Sequence, residues 1–333
     1  MSENSLPSLT ICVPTFSRAM MLDKCLEALY DIQLNGHDFC LMVADNGSPD
    51  NTKEVIAKWM PKFARMEAIF HDTNLGSDRN FYSLYEAVKT EYCWMLGDCD
   101  SISIEHFTKI EANLGKGYDA IVINTMVSML SINSKVYTDI VEFLDEQFWH
   151  ITKNSSFILT RKAIKPDLLQ RYFDSNFIHV GAFIEYLSLT KKFEVYYDKD
   201  IHLIYMGDDN YKENITKGWR QIPFHVWAKC YSTMILSFPQ AIPYELKLKL
   251  MKDHERHFHW FAIRNLMVNK IYRGKSYVDS YRQNRKFVHM VSVASPFLSD
   301  FVMYMPIDPF YKVVRFLKIF RVLDLIKNMF KRK

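Results

Sequence analysis

Residues 92–100, Tyr-Cys-Trp-Met-Leu-Gly-Asp-Cys-Asp, set an unbroken apolar run directly against a glycine and two aspartates. A short apolar run closed by a turn reads as a strand buried on both faces, and the aspartates then lie at its carboxyl end. Asp98 and Asp100 would repel in one pocket unless a cation lay between them. Hard oxygen donors suit Mg²⁺ or Mn²⁺, ions that commonly bridge a protein carboxylate to a substrate's phosphates. A calcium loop is excluded, because Ile102 stands where the third ligand belongs and Lys109 where the closing glutamate should be.

Upstream of this stretch the same grammar repeats. Leu9–Val13 is a β-prone run ended by Pro14, and Met21, Leu22, Cys25, Leu26 and Leu29 then recur at helical spacing. Phe39–Ala44 is a second apolar run, closed by Asp45-Asn46-Gly47-Ser48-Pro49. A helix is expected from Asn51 to about Phe63, a strand over Ala68–His71 and a helix over Asn80–Thr90. Strands with apolar interiors alternating with helices predict an α/β fold, a doubly wound, mainly parallel sheet covered on both faces. Downstream, Ala120–Asn124, Ser156–Thr160, Val195–Tyr197 and Ile201–Tyr205 read as strands, and His254–Val268, Tyr277–Val293 and Tyr311–Phe330 as helices. A boundary near residue 215 would separate an α/β domain (1–215) from a helical C-terminal region (216–333).

In such a sheet, ligands bind outside the carboxyl ends of the strands, where turns and helix N-termini supply donors. Pro14-Thr15-Phe16-Ser17-Arg18, Asp45-Asn46-Gly47-Ser48 and Gly97-Asp98-Cys99-Asp100 each follow an apolar run, so their polar groups should converge on one crevice. Neither GxxxxGK[ST], GxGxxG nor GxSxG occurs, which removes support for P-loop, standard dinucleotide and simple hydrolase readings. With 49% hydrophobic and 24% charged residues the chain should bury a core. A net charge of +4 without a basic body argues against nucleic acid as the main partner.

In order, PTFSR, ADNGSPDNT, NLGSDRN and LGDCD resemble the motif series of family 2 glycosyltransferases, tightly over residues 9–105 and loosely to about 205. LGD-x-D is similar to the branch that includes abequosyltransferase-like enzymes of O-antigen assembly. The resemblance implies the GT-A fold of nucleotide-diphospho-sugar transferases. It also implies that Pro14, Thr15 and Arg18 line a nucleotide pocket, and that Asp45 contacts base or ribose in a turn shaped by Asn46, Gly47 and Ser48. Asn74, Gly76, Arg79 and Asn80 would approach the nucleotide and donor sugar. Asp98 would touch ribose or sugar, and the Asp98/Asp100 pair would hold Mn²⁺ or Mg²⁺ on the diphosphate. Trp219-Arg220 falls where the family often places a loop over the diphosphate.

The family's Glu-Asp pair, whose Asp is the catalytic base, has no counterpart here. Counting from the flanks Phe173-Asp174 and Phe193–Tyr196, its place falls near His179-Val180-Gly181. His179 is the nearest proton acceptor, and Asp174 and Glu185 are the next candidates. The implied reaction is an inverting, hexosyltransferase-type transfer from a nucleotide sugar to a hydroxyl of a lipid-linked (polyprenyl diphosphate) glycan, in O-antigen- or capsule-type biosynthesis. The alternatives are a nucleotidyltransferase, which normally carries a Gly-rich, Arg-containing loop after its first strand, and a membrane-associated scaffold on a decayed transferase.

Tyr311–Lys333 carries eight basic side chains against one acidic, a net +7. Lys312, Arg315, Lys318, Arg321, Asp324 and Lys327 recur every third residue opposite an apolar arc, which predicts a basic amphipathic helix suited to an anionic membrane surface. No cysteine pair has CxxC spacing, MSENSLPSLT does not read as a signal peptide, and Cys230–Tyr244, the longest uncharged run, is broken by prolines. A cytoplasmic protein, peripheral at the inner face of the cell membrane, is the expectation.

Overall fold

The computed structural model describes residues 7–126, 129, 131–207 and 218–306. In chain order the first part runs β1 (Leu9–Thr15), α1 (Ala19–Leu34), β2 (Cys40–Asp45), α2 (Thr52–Trp59), β3 (Met66–Phe70), α3 (Ser77–Ala87), β4 (Tyr92–Met95), β5 (Asp100–Ile102) and α4 (Ile104–Glu111). It continues with β6 (Ala120–Asn124), β7 (Lys135–Tyr137), α5 (Ile140–Ile151), β8 (Phe157–Thr160), α6 (Pro166–Arg171), α7 (Ile178–Leu189) and β9 (Val195–Tyr205). A π-helical turn over His225–Cys230 leads into α8 (Tyr231–Ser237), followed by α9 (Tyr244–Phe258), α10 (Ile263–Val291) and α11 (Pro296–Tyr304).

The sheet order is β3-β2-β1-β4-β8-β6-β9-β5, with β7 paired to β9. β3, β2, β1 and β4 are parallel, and β6 is parallel to β9. Between the two parallel groups lies β8, antiparallel to both β4 and β6. The mixed, mainly parallel sheet is the expected architecture.

Strand parity explains why both faces are covered. Leu9, Ile11, Val13, Leu41, Val43, Tyr92, Trp94, Ile121 and Ile123 share one apolar cluster with Leu22, Leu26, Ile56 and Phe107 of α1, α2 and α4. Their neighbours Cys12, Met42, Ala44, Cys93, Met95, Ala120 and Val122 face the other way, into a cluster with α3, α5 and α7. Successive strand residues point to opposite faces, so an uninterrupted apolar run needs cover on both.

The second cluster extends into the C-terminal helices. Phe148 of α5 packs on Tyr231 and Phe238, and Trp149 stacks on His257 at 3.9 Å. The helical region is therefore packed onto the sheet's own cover. The expected boundary near 215 falls within 208–217, outside the described residues.

Two sequence expectations change. β9 is continuous where two short strands were expected. The helix read over His254–Val268 is two: α9 stops at Phe258, His259 takes a left-handed φ of 54°, and α10 starts at Ile263. α10 itself is broken at Gly274 (φ 61°). α7 carries no periodic signal because Ile178–Glu185 is buried on every side. All six cysteines are free thiols. No helix among the described residues is long and apolar enough to cross a membrane.

Glycine inside a helix is usually less stable than alanine by about 1 kcal/mol. At Gly181 of α7 the sign should reverse, because a Cβ there would lie 2.1 Å from the Tyr172 ring. Gly181→Ala is expected to lose about 1–3 kcal/mol of unfolding free energy in urea. A stabilised variant would refute this packing.

Candidate active site

Because β1, β2 and β4 are parallel, their carboxyl ends reach one edge, with Thr15 paired in register to Asp45 and Cys12 to Met95. The loops that follow are tied to each other. Ser17, in left-handed conformation (φ 55°), donates its N–H to Ser48 Oγ (2.8 Å), and the first N–H of α1, at Ala19, goes to Asp50 Oδ2 (3.0 Å). Asp50 thus caps a helix of the neighbouring βα unit, satisfying an otherwise orphan donor. Pro14, which has no N–H, lies within β1 opposite Ala44, so the strand runs one residue past the proline at which the sequence reading ended it.

Asp98 is 4% exposed and fully engaged: Arg18 Nη1 lies 2.7 Å from Oδ1, and Thr15 Oγ1 donates to Oδ2 at 2.9 Å. Burial pushes this carboxyl's pKa up, while Arg18 and Thr15 pull against that push. The Cys99 thiol between the aspartates is pushed up to about 11 by burial and stays protonated at neutral pH. Asp100, 1% exposed, has a different set: Lys153 Nζ at 2.9 Å on Oδ1 and Ser155 Oγ at 2.6 Å on Oδ2. Ser155 also receives Gly97 N–H on its Oγ (2.9 Å) and Trp94 Nε1–H on its carbonyl (3.0 Å).

Lys153 and Ser155 were not found from sequence, and the reason is topological. β8 is antiparallel to β4, with Trp94 opposite Ile158 and Tyr92 opposite Thr160. The residues just before β8 consequently land where β4 ends. Nothing in Lys153-Asn154-Ser155 marks it until that pairing is known.

The two acidic side chains have matching surroundings: Asp98 is held by Arg18 and Thr15, and Asp100 by Lys153 and Ser155. Both are hard-oxygen donors of the right kind, and no group of three or more His, Cys, Asp or Glu side chains is placed to hold a metal among the described residues. One or two carboxylates completed by substrate phosphates fit Mg²⁺ or Mn²⁺. Asp98 and Asp100 are the residues here that could hold the ion.

The Asn74–Asn80 segment is fastened to β2 by amides. Asn46 Nδ2 donates to Asn74 Oδ1 (2.9 Å) and Gly76 O (3.2 Å), and Asn46 Oδ1 accepts Leu75 N–H (2.9 Å). Asn80 Nδ2 donates to Ala44 O (3.2 Å). Asn46, Asn74 and Asn80 thus build the wall of the crevice, and of Asn80 only the Nδ2 group is engaged, its buried Oδ1 having no partner. Gly47 is required: its φ is +72°, and a Cβ would sit 2.6 Å from the Thr73 carbonyl carbon. Asp45 accepts Ser48 N–H on Oδ1 (3.0 Å), while its buried Oδ2 has no partner.

Beside the Asn74–Asn80 segment, Arg79 from α3 reaches Asp174 at 2.6 Å and lies over the Phe173 ring. Asp174 is in left-handed conformation (φ 64°) with its side chain 76% exposed. Buried Asp78, pushed up to about 6, accepts N–H groups from Asn176 and Ile178 and holds this loop against α3. Leu75, Gly76, Ser77, Asp78, Arg79, Asp174, Asn176 and His225 line a cavity of about 170 Å³. His225 carried no sequence signal; burial pulls its pKa down.

The structure moves His179 away from the role expected of it. His179 is buried, donates Nε2–H to Thr152 O (3.2 Å), stacks on Phe157, and is pulled down to about 4 by desolvation. It has no open face toward an acceptor hydroxyl. Glu185 is likewise buried and ion-paired with Arg171. Of the three candidate bases only Asp174 meets solvent. Trp219 and Arg220 lie in the 3₁₀ turn Gly218–Gln221; the residues leading to them, from Asp208 of Met206–Asn210 through 217, are outside the described range.

Two outcomes follow from these environments. A histidine held neutral at pKa about 4 resists a proton that the unfolded chain takes up near 6.5, so its contribution to stability is complete above pH 6.5 and lost as pH falls toward 4. The slope is up to about 1.4 kcal/mol per pH unit for one such group. Urea unfolding of His179→Phe should therefore fall less steeply than wild type between pH 6.5 and 5; parallel curves would contradict it. Lys153→Met should lower stability by about 1–3 kcal/mol at pH 7, and Mn²⁺ should recover more of the melting temperature in the variant than in wild type. An unchanged melting temperature would remove Lys153 as the counter-charge of Asp100.

The sequence profile of Glycosyl transferase family 2 matches residues 10–183. The abequosyltransferase of Salmonella typhimurium is 24% identical over 203 residues, covering 60% of this chain and 57% of that protein. The chain thus spans little more than half the length of that relative. Among solved structures, S. aureus TarS 1–349 in complex with UDP-GlcNAc superposes with a TM-score of 0.55 at 14% identity, covering 86% of this chain and 82% of that one. The mannosyltransferase PcManGT of Pyrobaculum calidifontis, in complex with GDP-Man and Mn²⁺, gives 0.51 at 12% identity, covering 99% and 89%. These structural likenesses concern the fold. The profile match spans every strand-end loop described above, and the chain belongs to glycosyl transferase family 2.

Proposed function

We propose that this chain transfers a sugar from a nucleotide-sugar donor to a hydroxyl of a lipid-linked glycan during bacterial surface polysaccharide assembly. The observation that carries the reading is the meeting of Thr15, Arg18, Asp98, Asp100 and Lys153 at the carboxyl edge of the sheet. Two fixed cations beside a hard-oxygen donor suit a diphosphate. The abequosyltransferase relative supports the sugar-transfer class, and the complexes of TarS and the mannosyltransferase support a nucleotide-sugar donor.

In this reading the unpartnered Asp45 Oδ2 accepts a donor hydrogen from base or ribose. Arg18 and Lys153 face the diphosphate. A divalent ion on Asp98 or Asp100, when bound, neutralises charge on the leaving nucleoside diphosphate. Asp174, at the rim of the acceptor-side cavity, takes the hydroxyl proton as that oxygen bonds to the sugar's anomeric carbon and the bond to the diphosphate breaks. A single in-line displacement inverts the anomeric centre. Arg79 holds the Asp174 carboxyl below the usual carboxylate range. The basic segment 311–333 lies outside the described residues; by its composition it would keep the enzyme at an anionic membrane surface, where lipid-linked acceptors reside.

The test is a thermal-shift screen of UDP-, GDP-, CDP- and dTDP-sugars with Mn²⁺, followed by transfer assays with the donor that binds. One donor class should stabilise the protein, and Asp174→Asn should lower kcat by about 10²–10⁴ with donor stabilisation retained. Wild-type turnover in that variant would eliminate Asp174 as the base; no stabilisation by any nucleotide sugar would eliminate the transferase reading.

A further inference from the structure

α11 is short and turned inside out on one side. It buries Ser299, Val302 and Met303, yet directs Phe297, Leu298, Phe301 and Tyr304 into solvent. Phe297 is 75% exposed and Phe301 51%. Phe297, Phe301 and Tyr304 are four and three residues apart, so they line one helix face, with Leu298 at its edge. A contiguous apolar patch on one short helix differs from scattered surface hydrophobes and marks an interaction surface.

Basic side chains border this patch, two of them ion-paired. The Arg282 guanidinium lies over Tyr304, 5.5 Å from the ring centre, and 3.1 Å from Asp279, and Arg285 forms an ion pair with Asp300 on the polar side of α11. Lys286, next along α10, is exposed. Immediately beyond Pro306 the chain continues for residues 307–333, whose sequence holds the net charge of +7 over Tyr311–Lys333. Large apolar side chains at the root of a cationic segment are complementary to a surface with apolar depth and negative charge. That is the interface of an anionic bilayer. A second protein copy would meet the same positive charge and be repelled.

We propose that the outward face of α11 is a membrane-docking surface, inserting Phe297, Leu298, Phe301 and Tyr304 into an anionic bilayer interface beside the basic chain that follows. The inference rests on the membrane reading given under the proposed function and assigns it a defined, folded contact. It also fixes which side of the molecule faces the lipid.

The experiment is flotation of the full chain with equimolar phosphatidylcholine–phosphatidylglycerol vesicles, comparing wild type with Phe297→Ser/Phe301→Ser. The substituted side chains are exposed, so both proteins should melt alike. Wild type should float, and the double variant should partition roughly tenfold or more less strongly. If both float equally, α11 is not the contact, although the membrane reading survives. If wild type does not float, both readings fall. Phe297→Trp emission completes the test. A blue shift only when vesicles are added supports insertion. A blue-shifted spectrum that vesicles leave unchanged means that the chain's own segment or a second copy already covers the face, and overturns the proposal. Sedimentation of the same variant tells those two covers apart.

Discussion

Two carboxyl groups, Asp98 and Asp100, are almost wholly removed from water where β4 ends, and an ionised carboxylate in that position is costly unless it is paired and hydrogen-bonded. Each is answered by one cation and one hydroxyl: Arg18 with Thr15, and Lys153 with Ser155. Those four partners come from opposite flanks of β4. One flank is the end of β1 and the other the lead-in to β8, so satisfying the two charges requires both neighbours of the strand to be in register. The polar site and the order of the central strands are thus one arrangement.

The same economy governs the crevice wall. Asn46, Asn74 and Asn80 hydrogen-bond each other's loops and the β2 backbone, and Asp50 and Ser48 hold the loop that starts α1. Residues that a motif comparison assigns to ligand contact are here largely occupied with shaping the edge. Asp45 Oδ2 and Asn80 Oδ1 remain on that wall as buried acceptors with no partner. The neighbouring cavity is more open. Asp174, Arg79 and His225 border a small cavity, and the loop carrying Asp174 is anchored from beneath by Asp78.

The C-terminal helices extend the apolar cluster on one sheet face through Phe148, Trp149 and Tyr231. They complete the cover of a sheet whose strands are apolar on both sides. α11 stands at the far end of that layer, with one face buried and one unpartnered, next to the most cationic stretch of the sequence.

The strands β1, β2, β4 and β6, the helices between the first of them, the strand-end loops and the family were legible in the sequence. Their signals are local: an apolar run, a turn composition, a helical period. Asp45, Arg18, Asp98 and Asp100 could be named from the same loops. Lys153, Ser155 and His225 could not. Their roles come from chain segments brought to the edge by an antiparallel strand and a π-helical turn, which no local pattern encodes. His179 was misread for the complementary reason. Its residue type allows proton transfer, but α7 is apolar on every side and packs that ring between Phe81 and Phe157. Sequence alone determined which groups are available and on which strand end they fall. Tertiary structure decided which of them are buried, paired or open, because burial and pairing depend on neighbours distant in the chain.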